Sequence, residues 1–139
     1  MVDRLRLATH IASIRDAVAR IREVLPADPA AFAADRTARE VVALNLFVAI
    51  QDAIDLAVHW LADEGSAVPE SYRAAFLALA EQGVVDVALA ENLAAASGLR
   101  NLVAHRYGAL DWARIHGFAA TRLGDLEAFC TAMARRAGS

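Results

Sequence analysis

Between Val41 and Leu61 only five residues are polar: Asn45, Gln51, Asp52, Asp55 and His59. At about 100° per residue these five fall within one arc of about 120°. The stretch therefore predicts a long helix carrying a narrow polar strip. Thr37 and Glu40 have the spacing of a capping box at its start, and Gly65 can stop it after Glu64. The simplest reading of the strip is an ordinary solvent face. Alternatively Asp52, Asp55 and His59 line a cleft or pair with Arg100. Asp55 and His59 also have the i, i+4 spacing of two metal ligands, but no further cluster completes a site, so no metal is expected.

The remaining periodicities are helical too. Leu7, Ile11, Ile14, Val18, Ile21 and Leu25 recur at spacings of four and three, predicting a helix from Asp3 to Leu25 that Pro26 ends. A connection follows that can hold one short turn, with Asp28 as cap before Pro29. Pro69 is placed to open a third helix running to Gln82, and Gly83 to close it. Asp86 can cap a fourth, which Gly108 breaks. Asp111 caps a fifth with the stripe Trp112, Ile115, Ala119, Leu123, Leu126, Cys130 and Met133, and the segment from Arg135 to Ser139 is expected to fray.

No alternating β-branched run stands between turn dipeptides, and at 139 residues the chain has room for one core. The fold class is all-α: one antiparallel bundle of four to five helices spanning residues 1–139. No segment supplies about 20 apolar residues free of charge, as a membrane span requires, and no signal peptide opens the chain, so a cytoplasmic protein is expected. All 14 basic residues are arginine, and the net charge of −3 argues against general electrostatic coating of nucleic acid. Any phosphate-binding surface has to be local.

One stretch stands out chemically. Ser97 to Asp111, SGLRNLVAHRYGALD, puts Arg100, Asn101, His105, Arg106 and Tyr107 into eight positions of an otherwise apolar sequence. Polar groups on an apolar helix need partners or a task. Asn101 and His105 are four apart and share a face, and Arg100 and Tyr107, seven apart, nearly align. His105 lies about 140° round from Arg100 on an ideal helix. The two converge if the helix loosens before Gly108 or if two copies face each other. Histidine can move protons near neutral pH, and arginine can stabilise the charge on a phosphorane. The chemistry most open to this set is metal-independent RNA cleavage, with the substrate's 2′-hydroxyl as nucleophile. Equally, His105 can be a capping histidine and Tyr107 an anchoring aromatic.

The run R-N-L-V-A-H-R-Y, Arg100 to Tyr107, resembles the R-x-x-x-x-H-x-Y motif of the HepT toxins, a branch of the HEPN ribonucleases. The following turn, Asp111 and helix, and the long helix bearing Gln51, Asp52 and Asp55, extend the likeness over nearly the whole chain. The resemblance implies an all-α homodimer with a composite site at its interface. It implies a ribonuclease toxin that leaves 2′,3′-cyclic phosphate ends and is neutralised by an MntA-like nucleotidyltransferase antitoxin, which uses ATP and magnesium to attach AMP to a tyrosine. By position, Arg100 and His105 would be catalytic, Asn101 would support them, and Tyr107 would be AMPylated. Arg73, Arg106 and Arg114 are candidates for the RNA path, and no cofactor is expected. Two competing readings are a non-catalytic nucleotide-binding or partner-docking subunit for a nucleotidyltransferase, and a structural helical dimer.

Overall fold

The computed structural model describes residues 2–138 and consists, among them, of helices and their connections. Seven α-helices and one 3-10 turn follow in the order α1 (Arg4–Val24), α2 (Pro29–Ala34), α3 (Arg36–Asp63), α4 (Tyr72–Glu81), α5 (Val87–His105), the turn Tyr107–Ala109, α6 (Trp112–Thr121) and α7 (Leu123–Ala137). Six α-helices begin on a side-chain cap: Asp3, Asp28, Asp35, Ser71, Asp86 and Asp111 each accept from a backbone N–H in the first turn. Each such bond satisfies a donor that the helix cannot, and is worth about 1 kcal/mol.

The centre is α3. Its buried residues, from Ala38 to Leu61, lie on several sides, because α1, α4, α5, α6 and α7 all pack on it. By length and hydropathy α3 also suits a membrane crossing, yet half of its most apolar window is buried inside the protein. The α1 stripe Leu7, Ile11, Ile14, Val18 and Ile21 is buried as the sequence predicts, and Phe76, Leu79, Leu93, Phe129 and Met133 fill the other side. Gly65 and Gly83 adopt φ of 76° and 74°, a conformation that other residues rarely take. Each closes its helix with a Schellman pattern: Ser66 N–H donates to the Leu61 carbonyl at 2.9 Å and Val84 N–H to that of Leu79 at 3.0 Å.

Five boundaries depart from the sequence reading. α5 ends at His105, ahead of the expected break at Gly108, which lies within the 3-10 turn. α3 is capped by Asp35, whose carboxylate accepts the Ala38 N–H at 3.0 Å, so Thr37 lies inside the first turn and Glu40 pairs with Arg36 instead of closing a capping box. Pro69 stays in the loop and α4 starts at Tyr72, because Ser71 caps Ala74 at 3.0 Å. The expected fifth helix is two, joined at Arg122. Gly117, Thr121 and Gly124 flank the joint with weak helix formers. The jog lets α6 pack on α2 while α7 packs on α1 and α5, and Ile115, Ala119, Leu123, Leu126, Cys130 and Met133 stay buried across it. Finally, the tail does not fray through Ala137: Arg4 Nη2 donates to the Ala137 carbonyl at 2.9 Å and Arg136 Nη2 to the Gln82 carbonyl at 3.2 Å. Ser139 lies outside the described residues.

The connection between α1 and α3 is held by one side chain. Phe32, the only buried residue of α2, meets Trp112 edge-on at 5.9 Å and His116 at 5.6 Å. His116 is itself buried and satisfied by the Pro26 carbonyl, 2.8 Å from Nε2. This small cluster fixes α6, and with it the turn that follows α5.

Candidate active site

The polar strip of α3 is neither a solvent face nor one cleft: Asn45 Nδ2 donates back to the Val41 carbonyl of its own helix at 2.8 Å, and the other four residues divide between two neighbours. Asp52 turns toward α1, where its carboxylate accepts from Ser13 Oγ and lies 2.9 Å from His10 Nδ1. His59 follows it, 3.3 Å from Arg6 Nη1 and stacked on His10 with ring centroids 6.0 Å apart. These two residues bind α1 to α3 and stand apart from Arg100. Gln51 and Asp55, one helical turn apart, face α5 instead. Gln51 Nε2 donates to Asp55 Oδ1 at 2.8 Å, and Gln51 Oε1 accepts from Arg100 Nε at 2.7 Å.

Arg100 is thus held from three helices. Its Nη1 donates to Asn101 Oδ1 at 3.0 Å, and its guanidinium lies over the rings of Phe47 (4.9 Å) and Tyr72 (5.9 Å). Of the five guanidinium N–H groups, Gln51 and Asn101 take one each and three remain for an anion. A plane oriented by aromatic faces and two acceptors is pre-organised to bind a phosphate with its free edge.

His105 is the last residue of α5; it is exposed, and its side chain has no hydrogen-bond partner among the described residues. α5 remains α-helical through His105, so loosening does not bring it round to Arg100. The helix places them about 140° and about 7.5 Å apart. Asn101 and His105 share the exposed face as their spacing predicts. Arg106 is exposed and caps α5 through its backbone. Tyr107 has left the helix for the 3-10 turn, which removes the expected alignment with Arg100. Its ring stands edge-on to Trp112 at 5.8 Å, 43% exposed.

The remaining arginine candidates are dispersed. Arg73 forms a double contact with Glu91, at 2.8 and 2.9 Å. Arg114 lies on α6 in a groove with Asn92, Leu99 and Asp125; Asn92 is about 180° round α5 from Asn101. No group of three His, Cys, Asp or Glu side chains suited to a metal occurs among the described residues. Sequence reasoning had not singled out Gln51, Phe47 and Tyr72 as the setting of Arg100. The available signals are the i, i+4 pair Gln51 and Asp55 and the place of both in the long-helix likeness. Nor had it placed Arg36, Arg39 and Trp112 beside Tyr107, for which no sequence signal existed.

Residues 14–133 match the family described as Ribonuclease HepT-like. The chain belongs to the HepT-like ribonuclease family. The mRNA nuclease HepT of Shewanella oneidensis is 32% identical to this HepT-like chain over 123 residues, covering 88% of this chain and 92% of that protein. A putative RNase of Archaeoglobus fulgidus is 37% identical over 67 residues, about half of each chain. A tri-AMPylated Shewanella oneidensis HEPN toxin, solved in complex with its MNT antitoxin, superposes with a TM-score of 0.86 at 30% identity, covering 97% of this chain and 99% of that one. A toxin–antitoxin structure with AMP-PNP gives 0.86 at 28% identity, covering 94% and 98%. The all-α HEPN architecture of the HepT-like chain is therefore shared in full with toxins of this type.

Proposed function

We propose that this chain is the ribonuclease toxin of a toxin–antitoxin pair, a single HEPN domain that works in the cytoplasm as a homodimer. The observation that carries the reading is the state of Arg100 and His105. Gln51 and Asn101 each hold one N–H of the guanidinium and three are left free, while an exposed, unpartnered histidine ends the same helix. Because the two diverge by about 140° on an unbroken helix, a second copy is needed to surround one phosphate with both. The surface supports such a contact. Along α5, Gly98, Asn101 and Ala104 are exposed and small, and on α3 Leu44 is 61% exposed, one turn from Val48 and two from Gln51.

In the dimer, the RNA 2′-oxygen attacks the adjacent phosphorus and the bond from phosphorus to the 5′-oxygen breaks. This leaves a 2′,3′-cyclic phosphate and a 5′-hydroxyl. His105 takes the 2′-hydroxyl proton, the partner subunit's His105 delivers one to the leaving oxygen, and Arg100 meets the charge that builds on the non-bridging oxygens. The substrate supplies the nucleophile, so no metal is required. Arg106 flanks the site and extends the RNA path. Neutralisation proceeds at Tyr107: its oxygen bonds to the α-phosphorus of ATP, held by an MntA-like nucleotidyltransferase, pyrophosphate leaves, and the phenol proton passes to solvent. A bulky anion then stands two residues from His105 and repels the RNA backbone.

The test is cleavage of labelled RNA by the purified protein in excess chelator, beside His105→Ala shown to be folded. Cleavage by the wild type alone, ending in cyclic phosphate, is expected. A wild-type chain that is unmodified by intact mass and still inert would refute the reading.

A further inference from the structure

Tyr107 stands at a shallow pocket of about 200 Å³ walled by Arg36, Arg39, Glu40, Gly108 and Trp112. Trp112 organises it: the tyrosine ring meets the indole edge-on at 5.8 Å, and the Arg39 guanidinium lies over the indole 5.2 Å from its centroid. Arg39 Nε is buried and has no hydrogen-bond acceptor among the described residues. A buried charged donor without an acceptor is uncommon, and its complement is an anionic oxygen. Arg36 is near enough for its charge to interact with the Tyr107 phenol. Its Nε is held by Glu40 Oε1 at 2.7 Å, an exposed pair that can exchange for another anion. Both arginines sit on the first turns of α3, where the helix dipole adds positive potential. Glu40 is the one carboxylate on the wall, which leaves a net positive charge beside the tyrosine.

We infer that this pocket receives the phosphodiester linking Tyr107 to its first adenylyl group. The Arg39 guanidinium donates to one non-bridging oxygen, and Arg36 leaves Glu40 for the other. The inference rests on Tyr107 being the modified residue. Its consequence is a latch: the modified 107–109 turn is pinned to the start of α3, and the phosphorus is shielded from hydrolysis.

The experiment compares wild type, Arg36→Gln and Arg36→Gln/Arg39→Gln after treatment with ATP, magnesium and the nucleotidyltransferase antitoxin. Intact mass then follows removal of AMP by a non-specific phosphodiesterase. The expected result is removal at least tenfold faster from the double variant, with Arg36→Gln intermediate, and a thermal midpoint raised by modification in the wild type but not in the double variant. Arg36→Gln alters an exposed side chain and keeps the fold should the double variant lose it. Equal removal rates on chains modified at Tyr107 overturn the latch alone. A wild type that is never modified at Tyr107 overturns both the latch and the neutralisation reading. Equal removal rates together with weakened RNA binding by the unmodified variants would assign the pocket to RNA phosphates and overturn the inference.

Discussion

Replacing Gln51 by leucine keeps the side-chain volume and removes the acceptor that orients Arg100. The bond lost is a 2.7 Å contact to a charged donor, of a kind worth about 1.5–3 kcal/mol. Both residues are half-buried, so water compensates in part and the lower end applies. The guanidinium then keeps only Asn101 and the two ring faces, and it can swing in its plane. Charge on the phosphorus oxygens grows toward the transition state, so misplacing the arginine weakens transition-state binding more than ground-state binding. At about 1.4 kcal/mol per factor of ten, kcat on a short labelled RNA should fall about tenfold, with KM changed less than threefold. In an Arg100→Lys background the same substitution should add less than twofold, because lysine has no Nε–H for Gln51 to hold. A folded Gln51→Leu with wild-type kcat, or with the whole loss in KM, would refute this account of Arg100.

Phe32→Ala empties the only buried position of α2 and takes an edge contact from Trp112; about 3–5 kcal/mol of stability should go, read as a lowered urea midpoint, and an unchanged midpoint would show that α2 is not anchored there. Tyr107→Phe keeps the ring against Trp112 and should cleave RNA as the wild type does while escaping neutralisation; an unmodified but inactive variant would count against it. Burial pushes the Cys130 thiol up from 9.0 to about 11. The folded group is raised, so its stabilisation is complete below the unfolded value and is lost as pH climbs from about 9 to 11, by up to about 1.4 kcal/mol per pH unit. Against Cys130→Ala, the wild type should lose denaturation free energy over that window, and parallel curves would show an accessible thiol.

Most of the fold could be read from the chain because α1, α3, α4 and α5 each carry a stripe or a cap that acts locally. The division at Arg122 escaped because the apolar stripe from Trp112 to Met133 runs through it unbroken; the jog is set by what α6 and α7 pack on, and spacing does not record that. The site divided in the same way. Arg100, Asn101, His105 and Tyr107 stand in one short run and were visible together. Apart from Asn101, the partners of Arg100 come from α3 and α4, and the charged wall around Tyr107 from the start of α3, dozens of residues away. The α3 strip shows the limit most plainly. Five polar residues on one arc look equivalent in sequence; Asn45 turns back on its own helix, and only the positions of α1 and α5 send Asp52 and His59 one way and Gln51 and Asp55 the other.

The bond from Arg4 to the Ala137 carbonyl brings the two ends of the described chain together at the Asp63 end of α3. Tyr107 and its pocket lie at the Arg36 end, and a 28-residue helix separates the two poles by about 40 Å. Affinity tags, fluorophores or a tether joining the ends would therefore leave from the pole remote from Tyr107. A circular permutant could reopen the chain in the Gly65–Ser71 loop without cutting any helix that carries Arg100, His105 or Tyr107.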